Sequence, residues 1–247
     1  MIIEAKKRLF ICLGFLLLFT FPTYARGYEG VAVSNGGTIR GFVKVLGKVP
    51  ELPALVIFKF KEVCKNVPNE RLVIGPDGGV RYAVVVLEGI TKGNAVEREA
   101  INELDNVKCR FVPHVQAASV GQWLVIKNSD RILHTAHATF EDGQPQFNVA
   151  LPPGKTVRKP LVSPGIVRII CEIRHTWMAA YVVVTEHPYH GVTDIFGEYE
   201  IRDVPPGTYR LKVWHETLGT QEKRVEVRSG SVSEVGFILS TTQGAKK

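Results

Sequence analysis

From residue 26 onward the apolar residues fall at every second position or in short β-branched runs. Thr38-Ile39-Arg40-Gly41-Phe42-Val43-Lys44-Val45, Ala54–Phe60, Ala83–Leu87 and Leu124–Ile126 are of this kind, as are Ile166–Cys171, Tyr181–Val184, Tyr209–Trp214 and Arg224–Val227. Such runs read as strands. Turn residues punctuate them at Asp77-Gly78-Gly79, Pro152-Pro153-Gly154 and Pro205-Pro206-Gly207. The pattern predicts an all-β protein. One stretch departs from it: Asn94–Asn106, with Ala95, Glu97, Glu99, Ala100 and Glu103, has helical composition and reads as a short helix or a linker, hence a candidate boundary. No internal repeat emerges.

Composition narrows the class. The 247 residues are 45% hydrophobic and 22% charged, which excludes a disordered or fibrous chain. The N-terminus differs from the rest: Lys6-Lys7-Arg8 precedes a 13-residue apolar run, Leu9–Phe21, and then Pro22-Thr23-Tyr24-Ala25. This is the order of a secretory signal, and the run is short of the roughly 20 residues that span a bilayer. Residues 1–25 are therefore expected to be removed after Ala25, taking Cys12 with them and leaving a periplasmic or secreted protein that is not integral to the membrane. Removal takes three basic residues and Glu4, so the net charge falls from +7 to +5. Basic residues are spread along the chain rather than interleaved with aromatics, and no nucleic-acid motif occurs. A basic exported protein of this kind points to acidic proteins or membrane surfaces instead.

Cysteine usage directs attention to one loop. Cys64, Cys109 and Cys171 remain after export, an odd number in a compartment that favours disulfides. Cys64 with Cys109 is the working pair, with a bridge from Cys171 to either as the alternative. Once Met1 is gone the only methionine is Met178, seven residues after Cys171. Cys171-Glu172-Ile173-Arg174-His175-Thr176-Trp177-Met178 thus sets a thiolate, an imidazole and a thioether between two strands. Cys and Met favour copper, imidazole completes the set, and a trigonal His₂Cys site with an axial Met is an electron-transfer arrangement. The second histidine is sought upstream, where a strand and an Asn/Asp turn end at His134. His137 lies three positions on and in a strand points to the other face, so only one of the two can be a ligand, and the place after the turn favours His134. His114 reads as structural, or as support for a ligand. Trp177 reads as a screen for the site or as a docking surface.

At these residues the chain resembles the cupredoxins. The likeness spans about 105–186 and includes Phe111-Val112-Pro113, Val120-Gly121, Asn128 with Asp130, His134 and the Cys171–Met178 loop. It implies a Greek-key β-sandwich binding one copper ion through His134, Cys171, His175 and Met178. The Cys-x₃-His-x₂-Met spacing departs from the Cys-x₂-His or Cys-x₄-His common in blue-copper loops. It matches the binuclear centre of cytochrome oxidase, but Val167 stands where that centre needs a second Cys.

Downstream, Thr193-Asp194-Ile195-Phe196-Gly197-Glu198-Tyr199 and Pro205-Pro206-Gly207-Thr208-Tyr209-Arg210-Leu211 resemble the transthyretin-like carboxypeptidase regulatory module, a small β-sandwich that is rarely catalytic. Gly37–Val43 resembles the opening strand of the same module and could pair with the C-terminal part across the intervening domain. The expected organisation is a signal (1–25), an N-terminal β segment or domain (26–104), the cupredoxin-like domain (105–186) and the regulatory-like module (187–247). The expected function is non-enzymatic: single-electron transfer with a redox protein bearing an acidic docking surface. The alternatives are a metal-free scaffold built on the same domains and a copper-delivery protein.

Overall fold

The computed structural model describes residues 27–240 apart from Lys48 and Arg174; the expected signal segment and Cys12 lie outside the described residues. The chain runs β1 (Glu29–Gly30), β2 (Gly37–Val45), β3 (Val84–Glu88), β4 (Lys92–Gly93), β5 (Ile101–Asn106), β6 (Phe111–Val112), β7 (Val115–Ser119), β8 (Trp123–Asn128), β9 (His134–Phe140) and β10 (Pro145–Leu151). It continues β11 (Thr156–Pro160), β12 (Gly165–Ile170), β13 (Ala179–Thr185), β14 (His190–Val192), β15 (Glu198–Val204), β16 (Gly207–His215), β17 (Gly219–Val227), β18 (Val232–Glu234) and β19 (Phe237–Leu239). The all-β expectation is met, and among the described residues the one helical feature is a 3₁₀ turn at Pro76–Gly78. The stretch of helical composition is a strand over Ile101–Asn106, because β5 pairs in parallel with β8 and buries Leu104 and Asn106. Tertiary pairing outweighs a weak local preference there.

Two sandwiches result. In the first, a five-stranded sheet ordered β10-β9-β12-β13-β7 faces a four-stranded sheet ordered β11-β8-β5-β6. Leu104, Leu124, Ile126, Ala138, Ile169 and Val182 fill the space between them. In the second, β14-β3-β16-β17 faces a sheet formed by β15, β2 and β18, with β19 also on β2, around Ile39, Val43, Val85, Leu87, Leu211 and Phe237. The second sandwich is assembled from both ends of the chain: β2 pairs antiparallel with β15, and β3 lies between β14 and β16. The first sandwich is inserted between β3 and β14.

Strand periodicity explains how the sandwiches stack. On β13, Ala180, Val182 and Val184 point into the first core, while Tyr181 and Val183 point the other way. On β3, Val85 and Leu87 enter the second core while Val84 and Val86 turn outward. These outward residues meet, with Val115 and Trp214, in a third apolar cluster. Strands covered on both faces are apolar at consecutive positions, and this is why β3 reads Val-Val-Val-Leu.

Three histidines pack into this assembly. Burial pushes His187, His190 and His215 down from 6.5 to about 4, with His187 adding repulsion at His190 and Glu216 pulling His215 the opposite way. The unfolded chain takes up these protons near 6.5 and the folded chain only near 4, so their contribution is complete above pH 6.5 and is lost as pH falls through about 4. Urea midpoints should therefore decline across that window, the stability lost being on the order of 3 kcal/mol for each histidine. A flat profile between pH 6.5 and 4 would contradict the packing described.

Candidate metal centre

The site lies at one end of the first sandwich, where two connections meet. Asn128, buried at the end of β8, donates from Nδ2 to the carbonyls of Ile132 and Leu151 at 2.9 and 2.6 Å. Its Oδ1 accepts the Asp130 N–H at 3.0 Å. These bonds shape the turn that carries the chain into β9 at His134. On the other side, the Ile170↔Ala179 pair of β12 and β13 leaves Cys171–Met178 as the connecting loop. The loop is closed by Cys171 N–H to the Met178 carbonyl at 3.3 Å and Met178 N–H to the His175 carbonyl at 2.8 Å.

Three of the four expected ligands converge with a donor atom each. His134 Nδ1 is 3.1 Å from His175 Nδ1, and Cys171 Sγ is 3.8 and 3.6 Å from these two atoms. The point equidistant from the corners of a triangle with those sides lies about 2 Å from each corner, close to the ~2.0–2.1 Å and ~2.3 Å of typical metal–nitrogen and metal–sulfur bonds. His134 and His175 are fully buried and Cys171 is nearly so. Met178 is buried at the end of the same loop. His137 points to the opposite face, as its spacing requires, and binds Glu172 Oε1 through Nδ1 at 2.7 Å. His114 lies between the two sandwiches, with Nδ1 on the Ala179 carbonyl at 3.0 Å and Nε2 against Glu216.

The electrostatics suit a thiolate. Burial raises the Cys171 thiol, but hydrogen bonds from His134, His175 and the backbone N–H groups of Thr135 and Ile173 outweigh it and bring it down to about 5. Burial likewise opposes charge on His134, yet its bonds to Asp130 and Cys171 hold it above the ordinary histidine range. Asp130 is kept below the usual carboxylate range, against its burial, by His134 and by the N–H groups of Cys109 and Lys108. An ionised carboxylate only accepts, so His134 Nε2 donates to Asp130 Oδ2 at 3.0 Å and Nδ1 faces the pocket. A second cluster, Cys109–Asp130–His134, is no ligand set, because Cys109 is in a disulfide with Cys64.

That disulfide settles the cysteine pairing and leaves Cys171 free. It joins residues 45 apart in sequence, a closure worth about 4 kcal/mol in the chain-entropy account. Cys109 and Lys108 form the turn between β5 and β6 with φ of 57° and 51°, as a two-residue I′ hairpin demands. Their strain is offset by donating to Asp130 at 2.8 and 2.7 Å. The Cys109 carbonyl accepts the Trp177 indole N–H at 3.0 Å. Sequence reading placed Asp130 in the turn before His134 but missed its bond to that ring. It also missed Phe60, whose ring stands edge-on to His175 with centroids 5.6 Å apart.

No family model matches the chain, and no curated protein matches it. Among solved structures, a purple cupredoxin from Nitrosopumilus maritimus is 18% identical over 33% of this chain and 97% of its own, with a TM-score of 0.30. A reduced amicyanin variant is 16% identical over 34% of this chain and 82% of its own, with a TM-score of 0.31. A copper-containing nitrite reductase from Thermus scotoductus is 25% identical over 37% of this chain and 25% of its own, with a TM-score of 0.29.

Asp130→Asn keeps the size of the side chain but removes the charge that orients His134. Metal affinity, read by competition with a chromophoric chelator, should fall ~10–100-fold, as it does when such supporting carboxylates are lost elsewhere. Unchanged affinity would show that Asp130 serves only the turn.

Proposed function

We propose that this is an exported mononuclear copper protein that passes single electrons between redox partners. The observation that carries the reading is the convergence of Cys171 Sγ, His134 Nδ1 and His175 Nδ1 on one buried point at bonding distance from all three. A thiolate with two imidazoles is the donor set of the trigonal copper sites that shuttle electrons. His134, Cys171 and His175 would hold the ion, Met178 of the same loop would be a further ligand, and the bound ion would supply a one-electron couple.

What the chain contributes is rigidity and exclusion of water. Asp130 and Asn128 hold His134, the two backbone bonds across Cys171–Met178 hold the loop, and Trp177 and Phe60 cover His175. A pocket set before the ion arrives changes little between oxidation states, which favours fast exchange. The burial of all three donor residues supports electron transfer over copper delivery, since a delivery site needs ligands that an acceptor can reach. The Cys64–Cys109 disulfide supports a periplasmic or secreted location, and no described helix is long and apolar enough to cross a membrane.

Loading with Cu(II) should produce an intense thiolate-to-copper charge-transfer band that is absent from Cys171→Ser. Met178→Leu should keep the band and shift the reduction potential. Copper bound equally by wild type and Cys171→Ser would overturn the site.

A further inference from the structure

The histidine on the loop of this site is roofed by a segment from outside the sandwich. Pro53–Asn69 forms a strap whose ends are pinched together by Asn69 Nδ2 donating to the Pro53 carbonyl at 3.0 Å. It is stapled down by Cys64–Cys109. Its inward side chains, Ile57, Val63 and Val67, pack on the first core. Leu55 and Val67 also share a cavity of about 30 Å³ with Trp177 and Met178. Phe60 takes φ 52°, a left-handed conformation costly for an aromatic residue, and that turn sets its ring against His175. His175 Nε2 is consequently buried and meets no hydrogen-bond partner among the described residues. The His175 ring is thus covered by Phe60 of the strap and by Trp177.

The outer face of the strap has a definite chemistry. Phe58 is 79% exposed and Phe60 39%. Lys59, Lys61 and Lys65 are exposed beside them, and Lys65 shares a cleft with Lys108, Arg110 and one carboxylate, Glu62, so that cations outnumber anions on this face. Arg110 pairs with Glu70, whereas none of Lys59, Lys61, Lys65 and Lys108 pairs with a carboxylate among the described residues. Elsewhere many exposed cations are matched, as in Arg40–Glu234, Lys92–Glu29, Lys127–Glu103 and Arg228–Glu226. Unmatched lysines around an exposed aromatic form a surface complementary to carboxylates.

We propose that the strap is the docking surface of the copper site: a redox protein with an acidic face lies on Phe58, Lys59, Lys61, Lys65 and Lys108, one side chain's thickness from His175. This rests on the copper reading and names the partner's chemistry and place. In the exchange, Cu(I) loses one electron and the partner's oxidised centre gains it, with no bond made or broken and no proton moved.

The test uses the reduced, copper-loaded protein with hexacyanoferrate(III), a trianion that takes one electron to become hexacyanoferrate(II), and with tris(phenanthroline)cobalt(III), a trication. Lys59→Glu, Lys61→Glu and Lys65→Glu are combined in one variant. Arg202→Glu, Arg224→Glu and Arg228→Glu make the same charge change on the second sandwich in another. The charge-transfer band is recorded first. Its absence from wild type would overturn the copper reading and the docking proposal together. With the band equal in all three, the strap variant should lose about ten-fold in rate toward the anion at low salt, within the range of electrostatic steering, and should react faster with the cation. Wild type should slow with added salt toward the anion, and the strap variant should not. Equal losses in both variants, or none in the strap variant, would overturn the strap as the docking surface.

Discussion

The Asp130 carboxylate is the interaction on which the site depends. One oxygen receives the Lys108 N–H, and the other receives the Cys109 N–H and His134 Nε2. The same group thereby relieves a strained hairpin turn, fixes the tautomer of a candidate ligand, and places Cys109 where its sulfur reaches Cys64 and its carbonyl reaches Trp177. Each contact is an ordinary hydrogen bond, but they share one buried acceptor. Removing it leaves buried N–H donors unmatched and loosens three segments at once, which costs more than the bonds taken singly.

From Cys109 the constraint passes outward to the strap. The disulfide brings Cys64 beneath the surface, the short turn before it lifts Phe60, and Phe60 closes over His175. A residue far from the Cys171–Met178 loop in sequence thus controls how the loop meets solvent. The pocket is sealed from above by the strap and from below by the apolar core shared with Met178 and Ile169. Low polarity would favour a neutral thiol, and the thiolate is preferred only because two imidazoles and two backbone N–H groups point at the sulfur.

The two sandwiches are bound by a different rule. Strands exposed to water on neither face must be apolar at consecutive positions, and β3 and β13 obey this because each separates two cores. His114 and Glu216 add a polar link across the junction, close behind the Met178–Ala179 end of the loop. The histidines packed in this assembly are held neutral by burial, so proton uptake works against it below the ordinary histidine range.

Local sequence was enough to determine the all-β class, most of the strands, the grouping of Cys171 with His175 and Met178 on one loop, and the assignment of His134 and His137 to opposite faces. These follow from alternation, turn residues and residue parity, which act over a few positions. Tertiary structure decided the rest. That Cys171 is free was decided by the Cys64–Cys109 bond. Ile101–Asn106 became a strand because β8 offered it hydrogen bonds, against its helical composition. Gly37–Val45 found its place between Glu198–Val204 and Val232–Glu234, a pairing across nearly the whole chain. The bond from His134 to Asp130 and the cover of Phe60 over His175 depend on how the turns and the disulfide bring distant backbone together. No pattern of nearby residues encodes that closeness, because it arises only when the sheets have closed on their cores.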